Sequence, residues 1–293
     1  MPFQSMETLI AICEKERKTF ARLVLESECQ ERNADEQTVT QEMGRMWTHM
    51  LSASQDYDRT LHSKSGLAGS DGGLMQDFIQ AGRGFCGPYT AEVMAEAIMM
   101  GESNACMRQI VAAPTAGSCG VLPAVLIPYY RKQQVPDERM AEALFVAAGI
   151  GKVIAERAFI AGASGGCQAE IGAASAMAAG ALVSLKDGTV QMLSNAVAMA
   201  LKNLLGLVCD PVAGLVEVPC IKRNVIGALN AMSCADMALA GIQSRIPADQ
   251  IIDAMREVGE DMNPKYKETA QGGCATTPKG IEAAEKIQTM SRK

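Results

Sequence analysis

Histidine is almost missing from the 293 residues: His49 and His62 are the only two. That leaves little material for a zinc site built on imidazole. Aromatic residues make up 4%, with a single tryptophan, and period-2 alternation of apolar and polar residues is scarce, which argues against a β-sandwich or β-barrel. The 27 basic residues are scattered and outnumbered by 33 acidic ones, for a net charge of -6. Without a Lys/Arg cluster there is nothing to draw a nucleic acid or an anionic membrane. The uncharged run Ile171 to Leu185 is mostly Ala, Gly and Ser. It falls short of the ~20 strongly apolar residues of a membrane span and reads as a buried helix. The opening "MPFQSMETLIAICEKERKTF" lacks the basic, then apolar, then small layout of a secretory signal. The cytoplasm is the expected compartment, and with it reduced cysteines.

What is present is a helical vocabulary. Hydrophobic residues reach 48%, with many Ala, Gly and Met, enough for a sizeable core of closely packed helices. The expected class is all-α. Helical spacing or composition marks 6–26, 35–60, 90–111, 137–160, 168–185, 189–206, 224–243 and 248–260. Asn33-Ala34-Asp35-Glu36 reads as a capping box opening the second segment, and Pro247 and Gly259 bracket the last. Residues 1–60, charged and poor in glycine, are expected to form a peripheral helical subdomain, with 61–293 as one continuous catalytic domain.

Between the helices lie loops rich in Gly, Ser and Thr: "HSKSGLAGSDGG" (62–73), "APTAGSCG" (113–120), "SGGCQ" (164–168), "CDPVAGLVEVPC" (209–220) and "AQGGCATTPKG" (270–280). Each offers backbone that a ligand can approach closely and hydroxyls that can bind it, and the five are expected to converge on one site. Two of them carry the cysteines Cys167, Cys209 and Cys220, separated by 41 and 10 residues. No zinc knuckle has that spacing. Cys167 precedes a helical run, where a helix N-terminus favours a thiolate; Cys209 and Cys220 adjoin prolines and read as turn residues. Three thiolates without imidazole suit an iron-sulfur cluster with one iron lacking protein sulfur, but on spacing alone three buried thiols remain equally open. Cys13, Cys29, Cys106 and Cys234 fall in helical patterns and read as packing.

The segments "SGLAGSDG", "APTAGSCGVLPAV", "SGGCQAEIGAASAMAAGAL", "LKNLLGLVCDPVAGLVEVPCIKRN" and "ADMALAGIQSRIPADQIIDAM" closely resemble the α chain of the iron-sulfur-dependent bacterial L-serine dehydratases (L-serine ammonia-lyases), in order from about residue 60 to residue 280. The resemblance implies a helical catalytic domain that binds a 4Fe-4S cluster through Cys167, Cys209 and Cys220. It also implies conversion of L-serine to pyruvate and ammonia by Lewis-acid activation at the open iron, and a β subunit as partner. Candidates for binding the substrate are Ser65, Gly66, Ser70, Asn104, Thr115, Ser118 and Lys222, with Thr115 and Ser118 read alternatively as caps of the helix beginning at Gly120. His62 is the tempting base, but the resemblance also offers a His motif of the β subunit. Cys119 stands where Ala or Ser is usual. The ending "QTMSRK" lacks the terminal cysteine that can occupy the open iron in single-chain relatives, so that blocking device is expected to be absent. Three rival readings are a cysteine desulfidase of related architecture, a pyridoxal-phosphate enzyme using Lys64, and a non-catalytic subunit that only binds the β chain.

Overall fold

The computed structural model describes residues 4–82 and 84–291. Among them are thirteen α-helices and no strand, the all-α class expected: α1 (Met6–Glu16), α2 (Phe20–Arg32), α3 (Glu36–Gln55), α4 (Asp71–Gln80), α5 (Gly87–Ala105), α6 (Val121–Gln133), α7 (Asp137–Arg157), α8 (Gly162–Gly165), α9 (Ala173–Leu185), α10 (Val190–Asn203), α11 (Cys220–Leu239), α12 (Ala248–Asp261) and α13 (Pro278–Ser291). None is long and apolar enough to cross a membrane.

The organising element is α9. A helix apolar on every face must be surrounded, and α9 is buried at every position but Ser184. It is wrapped by α6, α7, α10 and α11. Its alanines and glycine let those neighbours approach at short range, so the core is made of backbone proximity rather than of aromatic rings. The hydrophobic core runs without a break from Met6 of α1, through Leu23, Val24, Trp47 and Met50, to Met255 of α12.

Local chemistry sets the helix ends, and it corrects the sequence reading in three places. The segment 6–26 is two helices: Arg17 turns into the left-handed region (φ 53°), and the Thr19 hydroxyl then accepts from the Arg22 amide to start α2. Asn33 does not open α3. It closes α2 at φ 48°, a conformation asparagine tolerates, while Asp35 caps α3 by accepting from the Thr38 amide at 2.9 Å. Cys220 lies on the first turn of α11, four residues before the helix was expected to begin.

One carboxylate of this framework is placed at a cost. Glu96 of α5 is buried; its Oε2 lies 3.5 Å from Arg131, and its Oε1 has no hydrogen-bond partner among the described residues. Burial raises its carboxyl above the ordinary 4.5, against weaker opposing effects of Ser54 and Arg131. The unfolded chain gives up that proton near its ordinary value and the folded chain holds it longer. The protonated carboxyl's contribution is therefore complete below pH 4.5 and is lost as pH rises through the folded value. Glu96→Gln is expected to raise the urea midpoint of unfolding at pH 8 and to leave it unchanged at pH 4.

Candidate metal centre

The five Gly/Ser-rich loops meet, and each junction is a named hydrogen bond or sulfur contact. Cys167 ends the loop after α8 and leads into a single π-turn, Gln168–Gly172, that feeds α9. Cys209 is pinned by its backbone: its N–H donates to the Tyr266 carbonyl at 2.8 Å and its carbonyl accepts from Glu268 N–H at 2.9 Å. Cys220 sits on the first turn of α11. The three thiols are 2%, 2% and 7% exposed.

A carboxylate joins them. Glu170, on the π-turn, accepts the Thr115 hydroxyl on Oε1 at 2.8 Å and faces Cys209 Sγ from Oε2 at 3.9 Å. The donor atoms of Cys167, Glu170 and Cys209 lie within 4.8 Å of one another. The 113–120 loop is fixed in turn by a capping box between Thr115 and Ser118 and by Asn224, which accepts from Gly120 N–H at 2.9 Å and donates to the Gly117 carbonyl at 2.9 Å. Asp210 accepts from the Cys274 amide at 2.7 Å, which brings in the last loop. Asp210 also pairs at 2.8 Å with Arg223, whose second nitrogen donates to the Val208 carbonyl at 2.7 Å. On the far side Ser63 and Ser65 both donate to Glu217, at 2.8 and 2.6 Å, and so tie the 62–73 loop to the stretch between Cys209 and Cys220.

The electrostatics are those of a crowded anion site. The Cys209 S–H holds the Cys167 thiol below its usual value, aided by Arg223 and opposed by burial. The Cys209 thiol is raised for the same reason, with burial adding to it. Burial pushes Cys220 up to about 12, and the Cys167 and Glu170 charges add to that. Burial also raises Glu170. The thiols of Cys167 and Cys209 and the Glu170 carboxyl form a donor set that can hold a metal ion, while the Cys220 thiol lies outside that 4.8 Å group but close enough to feel the Cys167 and Glu170 charges. Glycine keeps the pocket open: a β-carbon on Gly162 would lie 2.8 Å from Cys209 Sγ and 2.7 Å from Glu170 Oε2.

The other sequence candidates fall around this centre in different ways. Ser65 is buried and donates to Glu217, and half-buried Thr115 donates to Glu170, so both hydroxyls are engaged. Ser118 is fully buried in its box with Thr115. Asn104 reaches the Ala116 carbonyl at 3.4 Å. Ser70 ends the loop at φ 67° just before α4, and Gly66 is exposed at φ 75°. Lys222 is exposed and pairs with Asp71. His62 is exposed, its Nδ1 3.2 Å from the Thr60 carbonyl. Cys119 is buried with its sulfur 3.7 Å from the Met100 carbonyl, a packing position outside the donor set. The sequence reading missed Glu170, Glu217, Arg223 and Asn224. Two of these had a signal, since Arg223 and Asn224 stand three and four residues past Cys220 and share its helix face once α11 begins at Cys220.

A helical scaffold that gathers buried thiols and a carboxylate at the junction of glycine-rich loops defines an all-α protein with a donor set that could hold a metal ion. The family described as serine dehydratase alpha chain matches residues 15–275, and the chain belongs to that family. It is 44% identical over 285 residues to the probable L-serine dehydratase alpha chain of Bacillus subtilis, covering 97% of this chain and 95% of that one. With the probable L-serine dehydratase alpha chain of Latilactobacillus sakei it shares 54% over 202 residues, 68% of this chain and 97% of that one. With the L-serine dehydratase alpha chain of Peptoniphilus asaccharolyticus it shares 39% over 282 residues, 96% and 95% of the two chains.

Proposed function

We propose that this chain is the α subunit of an L-serine dehydratase, that Cys167, Cys209 and Cys220 hold a 4Fe-4S cluster, and that a β chain completes the active enzyme. The observation that carries the reading is the buried thiol and carboxylate donor set at the meeting of five loops, in a chain of this family. When bound, such a cluster supplies a Lewis-acidic iron that can stabilise the negative charge growing on the serine hydroxyl oxygen as the C–O bond breaks.

The chain's own groups supply order and charge. Arg223 sets a fixed positive charge beside the thiolates and braces both sides of Cys209 through Val208 and Asp210. Glu217 immobilises Ser63 and Ser65, and so the loop at the mouth of the site. Lys222, Asn104, Ser70 and the backbone at Gly66 are assigned to the substrate carboxylate, Lys222 exchanging Asp71 and Asn104 the Ala116 carbonyl for it. The α proton goes to His62 or to a group of the β chain; unchanged turnover in His62→Gln places the base on the β chain. The α proton and the hydroxide leave as water, and the aminoacrylate tautomerises and hydrolyses to pyruvate and ammonia.

Anaerobic reconstitution with iron and sulfide, with and without the β chain, tests the reading, with pyruvate release from L-serine and L-cysteine measured side by side. The expected result is a brown protein that turns over L-serine only when both chains are present. Sulfide release from L-cysteine with no activity on serine would replace the reading with a desulfidase, and an iron-loaded complex without turnover would leave a non-catalytic subunit.

A further inference from the structure

Glu170 does something that three cysteine ligands do not require. It is 9% exposed, three residues beyond Cys167, on a π-turn, and such turns frequently mark functional sites. Its oxygen shares a 4.8 Å neighbourhood with the sulfurs of Cys167 and Cys209. The carboxylate is oriented by the Thr115 hydroxyl on Oε1 at 2.8 Å, and its Oε2 faces the Cys209 sulfur at 3.9 Å, toward the position a metal bound to that sulfur would take. Space is reserved on two sides as well: a β-carbon on Gly117 would come 3.0 Å from Oε1, and one on Gly162 would come 2.7 Å from Oε2. The nearby guanidinium of Arg223 is committed to Asp210 and to the Val208 carbonyl. A buried carboxylate without a cation is costly, and a metal is the cation this pocket can offer.

We propose that Glu170 is the fourth protein ligand of the cluster, an oxygen donor to the iron that carries no cysteine, and that substrate displaces it. The proposal rests on the cluster reading above. A fourth thiolate would match the soft preferences of the cluster and hold that iron tightly. A carboxylate binds it as one oxygen donor among others, exchangeable for the hydroxyl of serine with no change in the oxidation state of any iron. The Thr115 hydroxyl keeps the released carboxylate beside the metal, ready to return after the product leaves.

The test uses the full α–β complex of wild type, Glu170→Gln and Glu170→Ala, loaded anaerobically with 57Fe and sulfide. Iron and sulfide contents are measured first, then Mössbauer spectra with and without L-serine, then the affinity for D-serine as a non-reacting probe. All three proteins are expected to hold four irons. In wild type one iron of the four should change its spectrum when L-serine is added. In the Glu170 variants that iron should already differ at rest, and D-serine should bind about tenfold more tightly because no internal ligand has to be displaced. Resting spectra that superimpose on the wild type would overturn the proposal. So would loss of iron from both variants, since an exchangeable ligand is not what retains the cluster. A wild type without four irons fails the cluster reading instead, and the two failures are thereby distinct.

Discussion

Cys209→Ser is expected to remove the bound iron and the pyruvate-forming activity together while leaving the helical fold in place. The backbone of Cys209 is held from both sides by Tyr266 and Glu268, and a serine there keeps both bonds and nearly the same volume. What changes is the donor atom. A serine hydroxyl does not ionise in this pH range and is a poor ligand for soft iron, so the anion pocket keeps its shape and loses its grip. A Lewis acid contributes several kcal/mol of charge stabilisation, and at 1.36 kcal/mol per tenfold its loss lowers turnover by roughly 10³-fold or more. Cys167→Ser and Cys220→Ser should do the same. The control is Cys119→Ser, whose sulfur lies against the Met100 carbonyl; it should keep its full iron. Iron and sulfide per chain, visible absorbance and far-UV circular dichroism check the result. Unaltered iron content in all three ligand variants would reject the assignment of those cysteines.

The parts of the molecule that were legible in the sequence are those governed by periodicity and by composition. The run from Ile171 to Leu185 could only be a buried helix, and α9 is one. Helix ends were read less well, because a cap is decided by one dihedral angle that neighbouring residues can equally supply, as at Asn33 and Asp35. Glycine misled most at α4. Gly72 and Gly73 look like loop residues, yet they open a helix. A β-carbon at Gly72 would lie 2.6 Å from Met99 Cγ and one at Gly73 2.5 Å from Arg59 Nε, so these glycines serve close packing rather than a turn. The convergence of five loops was readable from their shared composition, whereas Glu170 and Glu217 were not. A single acid, in a helical stretch like Glu170 or in a loop like Glu217, looks like a solvated surface group until its partners Thr115 and Ser65, 55 and 152 residues away, are in view. Long-range pairing of that kind leaves no local trace.

Asn224→Ala is expected to be the most damaging single change outside the proposed ligand side chains. The side chain is 1% exposed and bridges two elements: its oxygen accepts from Gly120 N–H, and its nitrogen donates to the Gly117 and Cys220 carbonyls. Cys220 O lies at the start of α11, where a helical partner can still serve it, but Gly120 N–H and Gly117 C=O would be left buried and unpaired. At about 1–3 kcal/mol for each orphaned group, the loss is roughly 3 kcal/mol. It should appear as a lower urea midpoint with an unchanged slope. Asn224→Asp separates the hydrogen bonds from the packing. The carboxylate can still accept from Gly120 N–H, but its second oxygen would face two carbonyls, so its carboxyl should be raised well above the ordinary ~3.9. Protonated, it can donate to the Gly117 carbonyl as asparagine does. Its stability should therefore approach that of wild type at about pH 4, close to the unfolded value, and fall away at pH 8, as the folded state is forced to give up the proton. Equal destabilisation at both pH values would show that volume, not the donor to Gly117, is what position 224 supplies. The same variant at pH 8 should also lose iron faster than its stability alone accounts for, because the Gly117–Gly120 turn carries Thr115, and Thr115 orients Glu170.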